Sequence, residues 1–208
     1  MEIKFTLANP QVSVTQRILD DAARSAEIQK SSWPIGIYIP EYKPKPRSDG
    51  IYVEIPNSKY HPSYDYWAIR KNGAFYMLLS LLEESKIEDT IWIETRICRV
   101  TEALLYCARL YNRLGVETSH KVHFSIKHFG LKNKRFEYAD NYSSRAHNFV
   151  SSEDELETQI EFKLSDIETN VVNFVKDILS PMFMLFDFYE LEENNFENLV
   201  NKFINDKI

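Results

Sequence analysis

The stretch DYWAIRKNGAFYMLLSLL, Asp65 to Leu82, decides the fold. Asn72-Gly73 sits between two apolar, aromatic runs. Both residues accept positive φ at low cost, so the chain is expected to double back in a tight hairpin. Working outward, MEIKFTL (1–7) alternates polar and apolar residues and reads as a first strand, and GIYVEIP (50–56) as another. ELETQIEFKL (155–164) sets Leu156, Ile160, Phe162 and Leu164 between charges and amides, the pattern of a strand with one wet face. SSWPIGIYIP (31–40) predicts a helix end, enforced by Pro34, followed by a strand. EYKPKPRSDG (41–50) and NSKYHPSYD (57–65) read as loops. KVHFSIKHFGLKNKRFEYA (121–139) predicts a second hairpin around Phe129–Asn133, and Asp140–Asp154 an irregular segment.

Helical spacing runs from Ser13 to Lys30, with Val14, Ile18, Leu19, Ala22, Ala23 and Ala26 on one stripe. TIWIETRI (90–97) alternates as a strand and leads into a helix over Thr101–Leu114, with Ala103, Leu104, Cys107, Leu110, Tyr111 and Leu114 on its apolar face and Gly115 as its stop. Ser165–Glu168, SDIE, has the form of a capping box opening a helix through Val171, Val175 and Leu179. Ser180-Pro181 is expected to interrupt it and start a second, buried helix on PMFMLFDF; a last helix covers about Glu192–Asn205. The layout predicts a single α+β domain over residues 1–208. It is a mostly antiparallel sheet with helices packed on one face and a C-terminal helical segment.

With 208 residues, 44% hydrophobic and 27% charged, the chain suits one globular core. Five glycines leave no Gly-rich phosphate loop. No apolar run reaches the roughly 18 residues of a membrane helix, and MEIKFTLANPQ lacks the form of a signal peptide. Two cysteines make neither a disulfide framework nor a four-cysteine zinc site, so a reducing, cytoplasmic setting and no membrane partner are expected. Residues 151–208 hold fourteen acidic and four basic residues, a net of −10, against 17 acidic and 21 basic in residues 1–150. The chain as a whole therefore lacks the basic signature of a nucleic-acid binder.

The charged junction at 94–102 is the first candidate site. On a strand, Trp92, Glu94, Arg96 and Cys98 share a face, with Arg99 and Glu102 following at a helix start. Such a set either binds an anion or nucleotide base, or is a salt-bridge network over a half-wet sheet. Trp67 and Arg70, on the first hairpin, would add an aromatic wall and a further guanidinium. Glu83, Glu84, Asp89 and Glu94 are the acidic residues a metal-dependent nuclease would draw on, but no lysine sits at the required spacing. His61, His120, His123, His128 and His147 form no metal pair by spacing; His123 and His128 face opposite ways on one strand. Cys107 lies on an apolar helix face, while Cys98, beside Arg96 and Arg99, is expected to have a lowered thiol pKa. Lys127, Lys132, Lys134 and Arg135, in a basic segment spanning 121–147 with Phe129, Phe136 and Tyr142 interleaved, are the residues of a nucleic-acid-binding alternative. Lys43, Lys45 and Arg47 repeat that chemistry in a loop.

Several strings occur in a specific order: SSWPIGIYI, PEYKPKPRSDGI, YDYWAIRKNGAFYMLLSLLEE, DTIWIETRICRVTEALLYCARLYNRLGV and DILSPMFMLFDF. Together they resemble the region that accompanies the Schlafen-type, AlbA-like DNA-binding domain in bacterial proteins described as ATP-binding or helix-turn-helix proteins. The match runs from about Ile18 to Phe203. The resemblance implies an accessory or sensing domain that works beside a nucleic-acid-handling partner, in a setting such as defence against phage. It carries no catalytic residue across, and the chain starts at Met1 without the AlbA-like domain. We therefore expect a non-enzymatic module that needs no cofactor or metal and binds a partner protein or small anionic ligand through Trp67, Arg70, Glu94, Arg96 and Arg99. Nucleic-acid binding by the basic segment and a metal-dependent nuclease are the alternatives. The apolar chain end, PMFMLFDFYELEENNFENLVNKFI, needs a cover, either within the chain or in a homodimer.

Overall fold

The computed structural model describes residues 1–9, 13–28, 33–57, 63–81, 89–137 and 149–205. Its elements in chain order are β1 (Glu2–Leu7), α1 (Gln16–Ala26), β2 (Lys45–Arg47), β3 (Gly50–Ile55), β4 (Asp65–Arg70), β5 (Phe75–Leu78), β6 (Thr90–Trp92), α2 (Ile93–Arg113), β7 (Lys121–Phe129), β8 (Arg135–Glu137), β9 (Glu155–Lys163), α3 (Ile167–Phe183) and α4 (Glu193–Ile204). Seven strands form one sheet in the order β2-β3-β4-β5-β1-β7-β9, each neighbouring pair antiparallel. β6 and β8 make a separate parallel pair. The architecture is the expected α+β one. The β4–β5 hairpin closes as its sequence requires: Gly73 has φ 82°, and the Arg70 N–H donates to the Ala74 carbonyl at 2.8 Å.

Alternation divides the sheet into two faces. One carries Ile3, Phe5, Leu7, Trp67, Ile69, Phe75, Met77, Val122 and Phe124, all buried. Phe5 is stacked between Phe75 and Phe124, with centroids 4.6 and 6.0 Å away. α2 lies over this layer, bringing Tyr106 and Tyr111 against Phe5. α1, α3 and α4 pack around α2. α4 buries Phe196, Val200 and Phe203 within the chain, while Phe188 of the same apolar stretch is 81% exposed.

Several local expectations change. β6 stops at Trp92 and α2 starts at Ile93 rather than Thr101. Ile93, Ile97, Val100, Leu104 and Cys107 continue one helical stripe without a break, and all are buried. No hairpin forms around Phe129–Asn133: β7 lies between β1 and β9, and β8 pairs with β6. Residues 33–40 form no strand, and 41–50 is no plain loop, since β2 pairs with β3. Ser165 donates to the Asp166 carboxylate at 2.9 Å instead of capping, and a 3-10 turn, Leu164–Asp166, leads into α3. α3 runs through Pro181 and ends two residues later, where a missing N–H costs little. Among the described residues no helix is long and apolar enough to cross a membrane.

Candidate functional site

The junction residues fall on a helix, and this changes what they do. Glu94 is half-buried in the first turn of α2. Arg99 and Glu102 are neighbours at i, i+3, with Arg99 Nη1 donating to Glu102 Oε2 at 2.8 Å and to the Trp33 carbonyl at 2.7 Å. The second carboxylate oxygen of Glu102, fully buried, accepts the Ile35 N–H at 3.2 Å. The pair therefore staples residues 33–35, which lie outside the strands, onto α2. Such further hydrogen bonds help a buried ion pair offset the cost of its desolvation.

Arg96 is 5% exposed, and its Nη1 lies 3.2 Å from Nδ1 of the fully buried His128 on β7. A guanidinium only donates, so Nδ1 accepts and the ring proton sits on Nε2. Nε2 has no hydrogen-bond partner among the described residues. Burial first, then the Arg96 charge, holds His128 well below the ordinary histidine range and so neutral. Cys98 reverses its expectation. Burial pushes its thiol up to about 11, and the Arg99 charge only partly offsets this, so it is no activated nucleophile at neutral pH. Cys107 is a buried core thiol, as its helix face predicts.

Trp67 and Arg70 are three positions apart on β4 and point to opposite faces of the sheet. Trp67 is fully buried under residues 33–40, its indole N–H donating to the Ile37 carbonyl at 2.9 Å. Arg70 is on the open face, its side chain 68% exposed and 3.6 Å from Asp49. Arg96 borders a different, smaller hollow of 410 Å³ with Leu78, Leu81, Ile91 and Phe129. The five residues expected to form one pocket are thus divided between core, staple and open face. The basic segment is divided as well: Lys127 pairs with Glu155 at 2.8 Å, Lys134 with Asp89 at 3.1 Å, and Arg135 lies 3.9 Å from Glu137. Lys132, exposed, has its N–H directed at Asp154. Lys127 belongs to the seven-stranded sheet and Arg135 to the separate β6–β8 pair, and acids sit beside three of the four cations. His61, Glu83, Glu84, Tyr142, Arg145 and His147 lie outside the described residues. Among the described residues no cluster of three or more His, Cys, Asp and Glu side chains is placed to hold a metal ion.

The open face of the sheet holds what the sequence reading passed over. One register row runs Tyr52–Ala68–Tyr76–Lys4–Ser125–Gln159 across six strands. The next runs Glu54–Tyr66–Leu78–Glu2–Lys127–Glu157. Small residues (Ala68, Ala74, Thr6, Ser125) lie between large ones, and the result is a hollow of 710 Å³. That size suits a small ligand. Tyr66 stands between Tyr52 and Tyr76, ring centroids 6.0 and 5.9 Å away. Arg47 lies over Tyr52 at 4.0 Å and Lys4 near Tyr76 at 5.9 Å. Lys4 is ion-paired with Glu2, which raises the lysine pKa and keeps it charged. Partial burial, then Glu2, raises the Tyr76 pKa and keeps the phenol neutral. At the opposite end Glu157 Oε1 accepts from Ser125 at 2.6 Å and from Gln159 at 3.0 Å, and these bonds, Ser125 first, lower its pKa. Lys121 bonds Glu161 at 2.6 Å, with His123 at 3.2 Å from the same carboxylate. The signal was present in the sequence: DYWAIR and FYML put Tyr66, Ala68 and Tyr76 where a merely solvated face would carry charges.

No family model, curated protein or solved structure matches the chain.

Proposed function

We propose that this chain is a non-enzymatic binding module that takes a small anionic ligand in the hollow on the open face of its sheet. The observation that carries this reading is the 710 Å³ hollow with tyrosines on one side, Arg47 and Arg70 at one end and a floor of small residues. Binding sites combine apolar and aromatic walls with a few placed polar groups, and this hollow has both. Cys98 is not an activated thiol, because burial pushes it up to about 11. The resemblance to the region accompanying Schlafen-type domains would place such a module beside a nucleic-acid-handling protein, with the ligand as the signal it senses. Two free thiols suit a cytoplasmic setting.

The test is native mass spectrometry of the full chain purified from its host, followed by a thermal-shift screen of the small molecules found. A bound anion that is lost in Ala68→Leu, which fills the floor, supports the reading. A ligand retained unchanged by Ala68→Leu and by Tyr76→Ala refutes it.

A further inference from the structure

We propose that this chain pairs with a second copy of itself, each copy seating Phe188 in the 410 Å³ hollow beside Arg96 on the other. The inference goes beyond the ligand reading and uses no residue of the larger hollow.

Phe188 is a knob. After α3 the chain turns at Phe186–Tyr189, closed by the Tyr189 N–H donating to the Phe186 carbonyl at 3.0 Å. The two central residues, Asp187 and Phe188, have φ 52° and 60°. A turn with both central φ values positive selects Asn-Gly or Asp-Gly. Here a phenylalanine stands where glycine is favoured, and it is 81% exposed. Backbone strain and a ring left in water meet at one residue, and neither helps the isolated fold. The turn is held firmly. Asp187 accepts the Val150 N–H at 3.0 Å, and Phe186 bridges to Ser151 and stacks on Phe136 with centroids 4.7 Å apart. A ring fixed in advance loses little freedom when a partner closes on it. Met184, whose carbonyl accepts the Phe188 N–H at 3.2 Å, is exposed as well.

The hollow supplies the matching half. Leu78, Leu81 and Ile91 line it, with Tyr64 and Phe129 41% and 39% exposed. Among the described residues five large apolar side chains are exposed. Four of them are Met184 and Phe188 at the knob and Tyr64 and Phe129 at the hollow. An apolar recess is what an aromatic anchor needs in order to leave water.

Knob and hollow border the same strand pair. Ile91 of the hollow is the register partner of Phe136, on which Phe186 stacks. Both halves on one chain, flanking one element, make a self-complementary patch, the requirement for a two-fold dimer. Charge agrees with this. Asp187 and Glu190 flank Phe188 in sequence and are exposed, while Lys132 and Arg135, towards β8, are exposed cations. A two-fold axis near β6 and β8 turns the acids of one copy towards the bases of the other. A foreign partner would have no use for the hollow on this chain.

Sedimentation equilibrium of the full chain tests this. The native chain should dimerise with concentration, and Phe188→Gly should raise the dimer Kd by about thirtyfold or more, the size of a hot-spot loss. The Phe188→Gly monomer should melt close to the native one, because relieved strain and gained backbone freedom nearly offset. Phe129→Asp, at the hollow, should weaken the dimer to a similar degree. Mixing the two variants restores one knob-and-hollow contact of the two. Native mass spectrometry should then find mixed dimers where neither variant dimerises alone. Ala68→Leu, in the larger hollow, should leave the dimer intact, so the dimer and the ligand reading fail separately. A native chain that stays monomeric at about 1 mM overturns the proposal. So does Phe188→Gly dimerising as tightly as the native chain, or a mixture without mixed dimers, because the contact then lies elsewhere. A large fall in the melting point of Phe188→Gly also overturns it, since the ring would then serve its own chain.

Discussion

The start of α2 and the open face of the sheet carry similar residues and use them in opposite ways. At the helix start, Arg96, Arg99 and Glu102 are buried or nearly so, and Arg99 and Glu102 bond to a segment outside the strands. On the open face, Lys4, Arg70 and Glu157 stand in solvent beside a hollow and leave acceptor and donor capacity over. Charge density in a sequence does not separate a site from a staple. What separates them is whether the surrounding backbone has already used the hydrogen bonds.

The comparison is broken most directly at Glu102. Glu102→Ala leaves Arg99 nearly buried without its carboxylate and strips the Ile35 N–H of its acceptor. A loss of about 3–5 kcal/mol is expected in urea unfolding. A loss below 1 kcal/mol would mean the staple does little. Next is the Arg96–His128 pair. The folded pKa of His128 is depressed, so the unfolded chain binds the extra proton. Stability should be flat above the unfolded value near 6.5 and fall by about 1.4 kcal/mol per pH unit below it. His128→Gln, which still accepts from Arg96, should flatten that fall between pH 7 and 5; an unchanged profile in the urea midpoint would place the titration elsewhere. Gly36→Ala should cost about 1–3 kcal/mol, because Gly36 has φ 70° and a Cβ there would lie 2.5 Å from the Tyr106 hydroxyl. The smallest effect sharpens the contrast. Arg70→Glu should change stability by less than about 1 kcal/mol, since its pair with Asp49 is exposed. Its effect should appear in ligand binding alone, measured by calorimetry.

Much of the fold was legible because alternation and helical spacing are local. The hairpin at Asn72-Gly73, the wet-faced strand Glu155–Lys163 and the stripe Leu19, Ala22, Ala23 and Ala26 all appear where their patterns put them. IWIETRI was misleading because Ile91 and Ile93 fit a two-residue period while Ile93, Ile97 and Val100 fit a helical one. Only the longer stripe, continued to Leu104 and Cys107, settles it. Ser165 had an equally local choice between an amide and the Asp166 carboxylate, and charge decided it. The hollow was the least legible feature. Tyr66, Ala68, Tyr76 and Ser125 become neighbours only through the register of four strands, with β1 inserted between β5 and β7. No window of sequence contains them together.

Tyr106 gives the two faces a mechanical link. Its ring packs on Phe5 and Phe75 at 6.5 and 5.2 Å, while its hydroxyl end is capped by Gly36 in the stapled segment. Phe5 adjoins Lys4 on β1, and Phe75 adjoins Tyr76 on β5, each pair pointing to opposite sides of the same strand. A ligand that draws Lys4 and Tyr76 together must therefore press through those two strands onto Tyr106 and the turn above it. The sheet acts as a diaphragm, and filling one side should slow amide hydrogen exchange around Gly36 on the other.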